Sequence, residues 1–101
     1  MDTLKIILLD DTEDFILSLP SKDQYKISGA LEALKNRKFE NVYIKQLRGN
    51  IKELKVRKYR LIFFIHENRI YFPRVFRKKS NKTPKQEIDL AEKFYKLLTN
   101  N

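Results

Sequence analysis

Basic side chains are concentrated in one part of the sequence, residues 44–85. This stretch holds 14 of the 22 Lys and Arg residues but only 2 of the 13 Asp and Glu residues. The segments on either side are slightly acidic, so the formal net charge of +9 comes from one region of the chain. A basic region of this kind predicts binding to a polyanion such as nucleic acid.

Fixed Arg and Lys side chains can also catalyse RNA cleavage. When a 2′-hydroxyl attacks the adjacent phosphate, negative charge accumulates on the phosphate oxygens, and fixed cations stabilise it more in the transition state than in the ground state. The planar Arg guanidinium can hold two of these oxygens at once. Proton transfer needs a further group, such as a lysine beside other cations, His66 or a tyrosine. The charge alone favours binding over catalysis.

Length and composition narrow the class of protein. A chain of 101 residues with 42% hydrophobic content predicts a single folded domain. Without cysteine, and with one histidine, neither a metal nor another cofactor is expected. No apolar run approaches the roughly 20 residues of a membrane span, and the apolar segment near the N-terminus lacks a basic start. We therefore expect a cytoplasmic protein without membrane contact.

Hydrophobic spacing before the basic stretch predicts one strand and two helices. Residues 4–9 are apolar and bounded by acids, which is typical of a strand. Asp11 is placed to cap a first helix, which ends before a proline. Ser21 and Gln24 then match a capping box that opens a second helix ending near Lys38. The apolar stripe of this second helix is expected to pack against a sheet.

The basic stretch itself predicts a sheet followed by a helix. Pro73 lies inside the last expected strand and indicates a bulge or an edge position. Three residues predict the start of the last helix. Thr83 is the expected cap, Pro84 occupies the first helical position, and Gln86 completes a capping box. The expected strands are residues 44–47, 51–56, 59–66 and 70–76.

The turn between the third and fourth strands decides which basic residues meet. If it has two residues, Lys55 pairs with Arg60 on one sheet face and Arg57 lies at the turn. A longer loop is the alternative, because Arg and Lys are unfavourable in so tight a turn. The unbroken apolar run at residues 61–65 predicts a central strand covered on both faces. The expected fold is a small α+β domain with an N-terminal strand, a helical hairpin, an antiparallel sheet of three to four strands and a C-terminal helix.

Four motifs follow one another along this region. They read KQLRG at residues 45–49, ELKVR at residues 53–57, YR at residues 59–60 and FRKKSNKTPKQEIDLA at residues 76–91. In order and content they resemble the RelE/HigB superfamily of type II toxin–antitoxin toxins, and most closely its phage-derived HigB-like branch. The resemblance extends over nearly the whole chain and implies a RelE-like domain.

The resemblance also implies an activity and partners. Such toxins are ribosome-dependent mRNA endonucleases, which cut through a 2′,3′-cyclic phosphate without a metal. The expected partners are mRNA, the ribosome with its 16S rRNA, and a cognate antitoxin of the helix-turn-helix, HigA-like type. Operator DNA would be bound only through the complex with that antitoxin.

Site residues follow from the same motifs. Arg60 matches the strand arginine that holds the scissile phosphate. Lys55 and Arg57 match basic positions on the preceding strand, and Lys78 and Lys79 match the basic segment after the last strand. These five are the candidate catalytic residues. The candidate RNA-binding residues are Lys45, Arg48, Lys58, Arg74, Arg77 and Lys82.

The chain departs from the family pattern where proton transfer is concerned. Many RelE proteins have a tyrosine beyond the basic loop, where this chain has residues 80–84, and Arg74 stands where many HigB-like chains have a histidine. No general acid or base is therefore assigned. Two alternatives stay open: a RelE-fold module that binds nucleic acid or protein without cleavage, and a RelE-fold toxin acting on another target such as gyrase.

Overall fold

A five-stranded mixed sheet forms the centre of the structure, a computed structural model that describes residues 2–100. The strand order is β1-β5-β4-β3-β2, with β1 parallel to β5 and all other neighbours antiparallel. The elements are β1 (Lys5–Leu8), α1 (Asp10–Leu17), α2 (Ser21–Lys35), a 3-10 turn (Phe39–Asn41), β2 (Tyr43–Arg48), β3 (Ile51–Val56), β4 (Tyr59–His66), β5 (Arg69–Arg77) and α3 (Lys85–Thr99).

The predicted α+β class is confirmed, although the sheet has more strands than the three to four expected. The difference arises because β1 adds to the edge of the sheet beside β5. Parallel pairing between the chain's first strand and its last depends on long-range packing, which local sequence patterns do not specify. None of the helices within residues 2–100 has the length and apolar composition needed to cross a bilayer.

Helices cover both faces of the sheet, as the unbroken apolar run of β4 predicted. Four consecutive β4 residues, 61–64, are fully buried. Leu61 and Phe63 belong to a core formed with α1 and α2, and Ile62 and Phe64 belong to a second core formed with α3. The predicted packing of the α2 stripe is also confirmed, since Ile27 is fully buried in the first core.

The predicted register between β3 and β4 is confirmed. Val56 pairs with Tyr59 and Lys55 pairs with Arg60 across a two-residue turn. Arg57 adopts a left-handed φ of 54° to make this turn, an uncommon conformation for a side chain of its size. As a result, two cationic side chains lie next to each other on the sheet face that α3 partly covers.

Pro73 lies at a bulge, which was one of the two predicted alternatives. The pairing of β4 with β5 shifts by one residue between Ile62 and Phe64, opposite this proline. The edge alternative is wrong, because β5 lies between β1 and β4. Proline is tolerated here because the pairing with β1 ends at Phe72, so its missing N–H leaves no ladder bond unmade.

The predicted helix caps are wrong. Asp11 lies inside α1, Ser21 is the first residue of α2, and Thr83 precedes the cap position of α3. None of these three helices has a side-chain hydrogen bond at its N-terminal cap. The Gln24 side chain instead donates to the carbonyls of Leu17 and Leu19, at 3.2 and 2.8 Å. Pro20 and Pro84 occupy the cap positions with extended backbones, so α2 starts one residue earlier than expected and α3 starts one residue later. The second helix also ends at Lys35, three residues before the predicted Lys38.

Candidate nucleic-acid interface

A cleft of about 400 Å³ opens at one end of the sheet, on the face that α3 covers. Its floor is made by adjacent β3, β4 and β5 residues, of which Lys55, Arg60 and Phe76 form one row across the strands. Its wall is the segment that connects β5 to α3, together with the first turn of α3. The wall residues are Arg77, Lys78, Lys79, Ser80, Asn81, Lys82, Thr83, Pro84, Gln86 and Glu87.

Arg60 is held in place by its own turn. Its Nη1 donates to the carbonyls of Arg57 and Tyr59, both at 2.8 Å, and its Nε lies 4.0 Å from a carboxylate oxygen of Glu53. The side chain is only 12% exposed. The guanidinium is therefore oriented before any ligand binds, which favours strong interaction with a phosphate.

A buried carboxylate anchors the wall of the cleft to the floor. Glu53 is 2% exposed, and its Oε2 accepts a hydrogen bond of 2.6 Å from the Thr83 hydroxyl. At the other end of the same segment, the backbone N–H of Lys78 donates to the carbonyl of Lys58 at 2.7 Å. The connecting segment is thus fixed to the sheet at both ends, which positions the lysines between them.

The lining of the cleft is strongly cationic. The cleft is lined by six Lys or Arg residues and by two acidic residues, Glu53 and Glu87. Both carboxylates are engaged, the second by Arg74, whose Nε donates to it at 2.6 Å. Among the described residues, no carboxylate oxygen lies within 4.0 Å of the lysines that line the cleft, which are Lys55, Lys78, Lys79 and Lys82.

The backbone adds to this positive potential. The first turn of α3, a helix of 15 residues, contributes to the wall. The N-terminus of a helix carries a partial positive charge and unpaired N–H groups, both of which favour anions. The geometry and charge together make the cleft suited to a phosphate group. Within residues 2–100, no group of three or more His, Asp or Glu side chains is arranged to hold a metal ion.

Tyr59 supports the turn end of the hairpin from the opposite face. Its hydroxyl donates to Asp23 at 2.6 Å, and this hydrogen bond, with burial, raises the pKa of Tyr59 above its ordinary value. Lys58 Nζ and Arg77 Cζ lie 5.7 and 5.5 Å from the centre of its ring. These cation–π contacts hold two basic side chains at the turn end of the sheet, on the face opposite the cleft.

Four of the five candidate catalytic residues line the cleft, namely Lys55, Arg60, Lys78 and Lys79. Two of the candidate RNA-binding residues, Arg77 and Lys82, also line it. The fifth catalytic candidate, Arg57, lies at the turn and contributes its carbonyl to Arg60, but its side chain does not line the cleft.

Four candidate RNA-binding residues also lie outside the cleft. Lys58 is at the turn, and Lys45 pairs with Glu53 on the neighbouring strand. Arg48 forms ion pairs with Asp89 and Glu92 of α3, at 2.7 and 3.1 Å. Arg74 is paired with Glu87, and this hydrogen bond raises the pKa of Arg74. The last two side chains hold α3 against the sheet.

His66 is remote from the cleft. It shares a face of β4 with Arg60 but lies six residues further along, a separation of about 20 Å at strand spacing. Its Nε2 lies 3.2 Å from a carboxylate oxygen of Glu67. A proton transfer by His66 to a phosphate bound at Arg60 is therefore ruled out on distance.

Sequence reasoning missed three residues at this site. Glu53 was not recognised as part of it, and Thr83 was interpreted as a helix cap, although the two are hydrogen-bonded. Tyr43 lies just before the predicted strand at residues 44–47, but it begins β2 and pairs directly with Lys55. Only the pairing of β2 with β3 reveals its position, and no local pattern signals it.

Residues 14–96 match the family described as "Phage derived protein Gp49-like (DUF891)". The match covers most of the chain, and the protein therefore belongs to this family. No curated protein matches the chain.

Two solved structures have a similar fold. The archaeal RelE–RelB complex from Pyrococcus horikoshii OT3 contains a chain that is 14% identical, with a TM-score of 0.69 over 79% of this protein and 99% of that chain. The RelB–RelE antitoxin–toxin complex from Methanococcus jannaschii gives 18% identity and a TM-score of 0.59, over 82% of this protein and 94% of that chain. The fold is thus RelE-like.

Proposed function

We propose that this protein is the toxin of a type II toxin–antitoxin system and that it cleaves mRNA on the ribosome without a metal. The observation that carries the proposal is the preorganised cationic cleft around Arg60. The RelE-like fold supports it, because the Pyrococcus horikoshii and Methanococcus jannaschii structures are complexes of RelE with RelB, the second described as antitoxin with toxin.

In the proposed reaction, the scissile phosphate is bound by Arg60 with Lys55 beside it. The ribose 2′-hydroxyl loses its proton as its oxygen attacks phosphorus. The bond to the 5′-oxygen of the next nucleotide breaks and that oxygen takes up a proton, giving a 2′,3′-cyclic phosphate and a 5′-hydroxyl. Lys78 and Lys79 stabilise the charge that develops on the phosphate oxygens. Arg57 is proposed to contact the RNA backbone from the turn, next to the reacting phosphate.

The remaining candidates are proposed to bind RNA away from the reacting bond. Arg77 and Lys82 extend the cationic wall, and Lys45 extends the floor towards β2. Arg48 and Arg74 are paired with carboxylates of α3, so each guanidinium would contact RNA while still bound to its carboxylate. Lys58 adds charge at the turn. The proposed protein partner is a helix-turn-helix antitoxin of the HigA-like type, which neutralises the toxin and binds operator DNA with it.

One observation favours a second candidate function, binding to RNA without cleavage. The described residues that line the cleft include neither histidine nor tyrosine, which are common proton-transfer groups. A cationic cleft without such a group holds a phosphate equally well. The distinguishing result is the state of cellular mRNA after expression: cuts indicate cleavage, and intact transcripts indicate binding.

Growth after induction tests the proposal. Expression of the wild-type chain is expected to arrest growth, and co-expression of the adjacent antitoxin gene is expected to restore it. Arg60→Ala should abolish the arrest, because it removes the phosphate-binding fork, while Lys26→Ala on α2 should leave the arrest unchanged. Circular dichroism shows whether each variant is folded. Full toxicity of folded Arg60→Ala contradicts the proposed role, and arrested replication with intact transcripts indicates a target such as gyrase.

A further inference from the structure

Tyr43 is an exposed aromatic residue at the edge of the cationic floor. Its side chain is 79% exposed, and it contributes to neither hydrophobic core. It is the first residue of β2, the edge strand on this side of the sheet. A ring in this position does not stabilise the fold by burial, and its apolar face is free to contact a ligand.

The strand register aligns Tyr43 with the cleft. Tyr43 is the direct antiparallel partner of Lys55, which in turn is the direct partner of Arg60. Residues opposite each other in a sheet project from the same face, with Cβ atoms about 5 Å apart. The three side chains therefore form a row that runs from Arg60 in the cleft to Tyr43 on the edge strand β2. At the usual spacing of strands, this row is about 10 Å long.

The surroundings of the ring favour a nucleic acid. Lys45 projects from the same face two residues along β2, and Lys55 lies between the ring and the cleft. The acidic residue on this part of the face, Glu53, is buried and hydrogen-bonded. Within residues 2–100, no carboxylate oxygen lies within 4.0 Å of Lys45 or Lys55. An aromatic ring flanked by such cations is the combination that binds single-stranded RNA, through a stacked base and a neutralised backbone.

We infer that Tyr43 is a base-stacking platform that positions the nucleotide next to the phosphate bound by Arg60. The distance along the row is comparable with the reach from a phosphate to the base on its own ribose. Tyr43 thus holds the RNA strand in register with the cleft, and it acts on binding and not on proton transfer. The inference rests on the proposed function for its choice of ligand, but base stacking itself does not require cleavage.

Fluorescence provides a direct test, because the sequence contains no tryptophan. Tyr43→Trp and Tyr25→Trp each introduce a single fluorescent reporter. Tyr25 is a matched control because it is 78% exposed and lies on α2, which covers the opposite face of the sheet. The probe is a short RNA whose 2′-hydroxyls are methylated, which prevents cleavage. Stacking predicts quenching at position 43 and none at position 25. Equal quenching, or none at either position, overturns the inference.

A second measurement separates the base from the phosphate. Binding of the methylated RNA is compared with binding of an abasic chain of the same length and charge. Tyr43→Ala should weaken RNA binding roughly tenfold and leave abasic binding unchanged, whereas Tyr43→Phe should retain affinity within about twofold. Equal losses for both chains overturn the inference. Quenching without any cleavage by the wild-type protein would contradict the proposed activity but not the stacking.

Discussion

At the scale of single residues, the site depends on one buried carboxylate. Glu53 accepts a hydrogen bond from Thr83, 30 residues further along the chain, and lies close to Arg60. The charge pattern of the sequence predicted the cations that meet in the cleft, because a basic cluster is visible in composition. It did not predict the bond that fixes the cleft wall, because nothing local to either residue marks a contact over such a separation.

Thr83→Val tests this contact. The substitution keeps the shape of the side chain but removes the donor to a buried carboxylate, so we expect a loss of about 1–3 kcal/mol in the free energy of unfolding, measured in urea. Thr3→Val, at an exposed position, is the control and should change stability little. We also expect the variant to bind RNA more weakly, since the lysines of the wall are no longer fixed. Unchanged stability and binding would show that the hydrogen bond does not position the wall.

At the scale of elements, helix existence, strand order along the chain and the β3–β4 register followed from hydrophobic spacing. The helix starts did not, because Pro20 and Pro84 take the cap positions that the capping-box pattern assigned to neighbouring residues. The parallel pairing of β1 was also beyond local patterns. Arg48 illustrates a further limit: it was predicted to bind RNA, but its ion pairs with Asp89 and Glu92 fasten α3 to the end of β2.

This attachment of α3 predicts a dependence of stability on pH. The hydrogen bond from Arg48 holds the pKa of Asp89 below its usual value. A carboxyl whose pKa is lowered by folding stabilises the folded state above its ordinary pKa, and this contribution is lost as the pH falls through the lowered value. Asp89→Asn should therefore lower the melting temperature at about pH 7 and have little effect towards about pH 2.

A double variant identifies the source of this effect. In an Arg48→Ala background, the part of the Asp89→Asn effect that varies with pH should be smaller, because Arg48 is the main cause of the lowered pKa of Asp89. An effect of the same size at every pH, or one unchanged by removal of Arg48, would contradict the ion pair as its origin.

At the scale of the whole molecule, charge is segregated. The cleft face carries Lys and Arg side chains from three strands and the wall, while α1 contributes acids at its first turn. Binding of RNA to such a surface releases counterions, so affinity should fall steeply as salt rises. For a single-stranded RNA, each contact between a cationic side chain and a phosphate contributes about 0.7 to the magnitude of the slope of log binding constant against log salt concentration. Removing one such contact therefore lowers the slope by about this amount.

Lys55→Ala and Lys79→Ala should each reduce that slope by about this amount, while Lys26→Ala, which removes an exposed lysine of α2, should not. Fluorescence anisotropy with a labelled single-stranded RNA measures it. Equal slopes for all three variants would mean that RNA binds elsewhere on the molecule.

The central claim is that the cleft cleaves mRNA at the phosphate held by Arg60, and the chemistry of the new RNA ends tests it most directly. After brief expression, sequencing of 3′ ends that carry a 2′,3′-cyclic phosphate should reveal discrete cuts within translated codons for the wild-type chain and for Lys26→Ala, and only background for folded Arg60→Ala. Growth arrest by the wild-type chain with intact transcripts, or the same cuts from Arg60→Ala, would contradict the account.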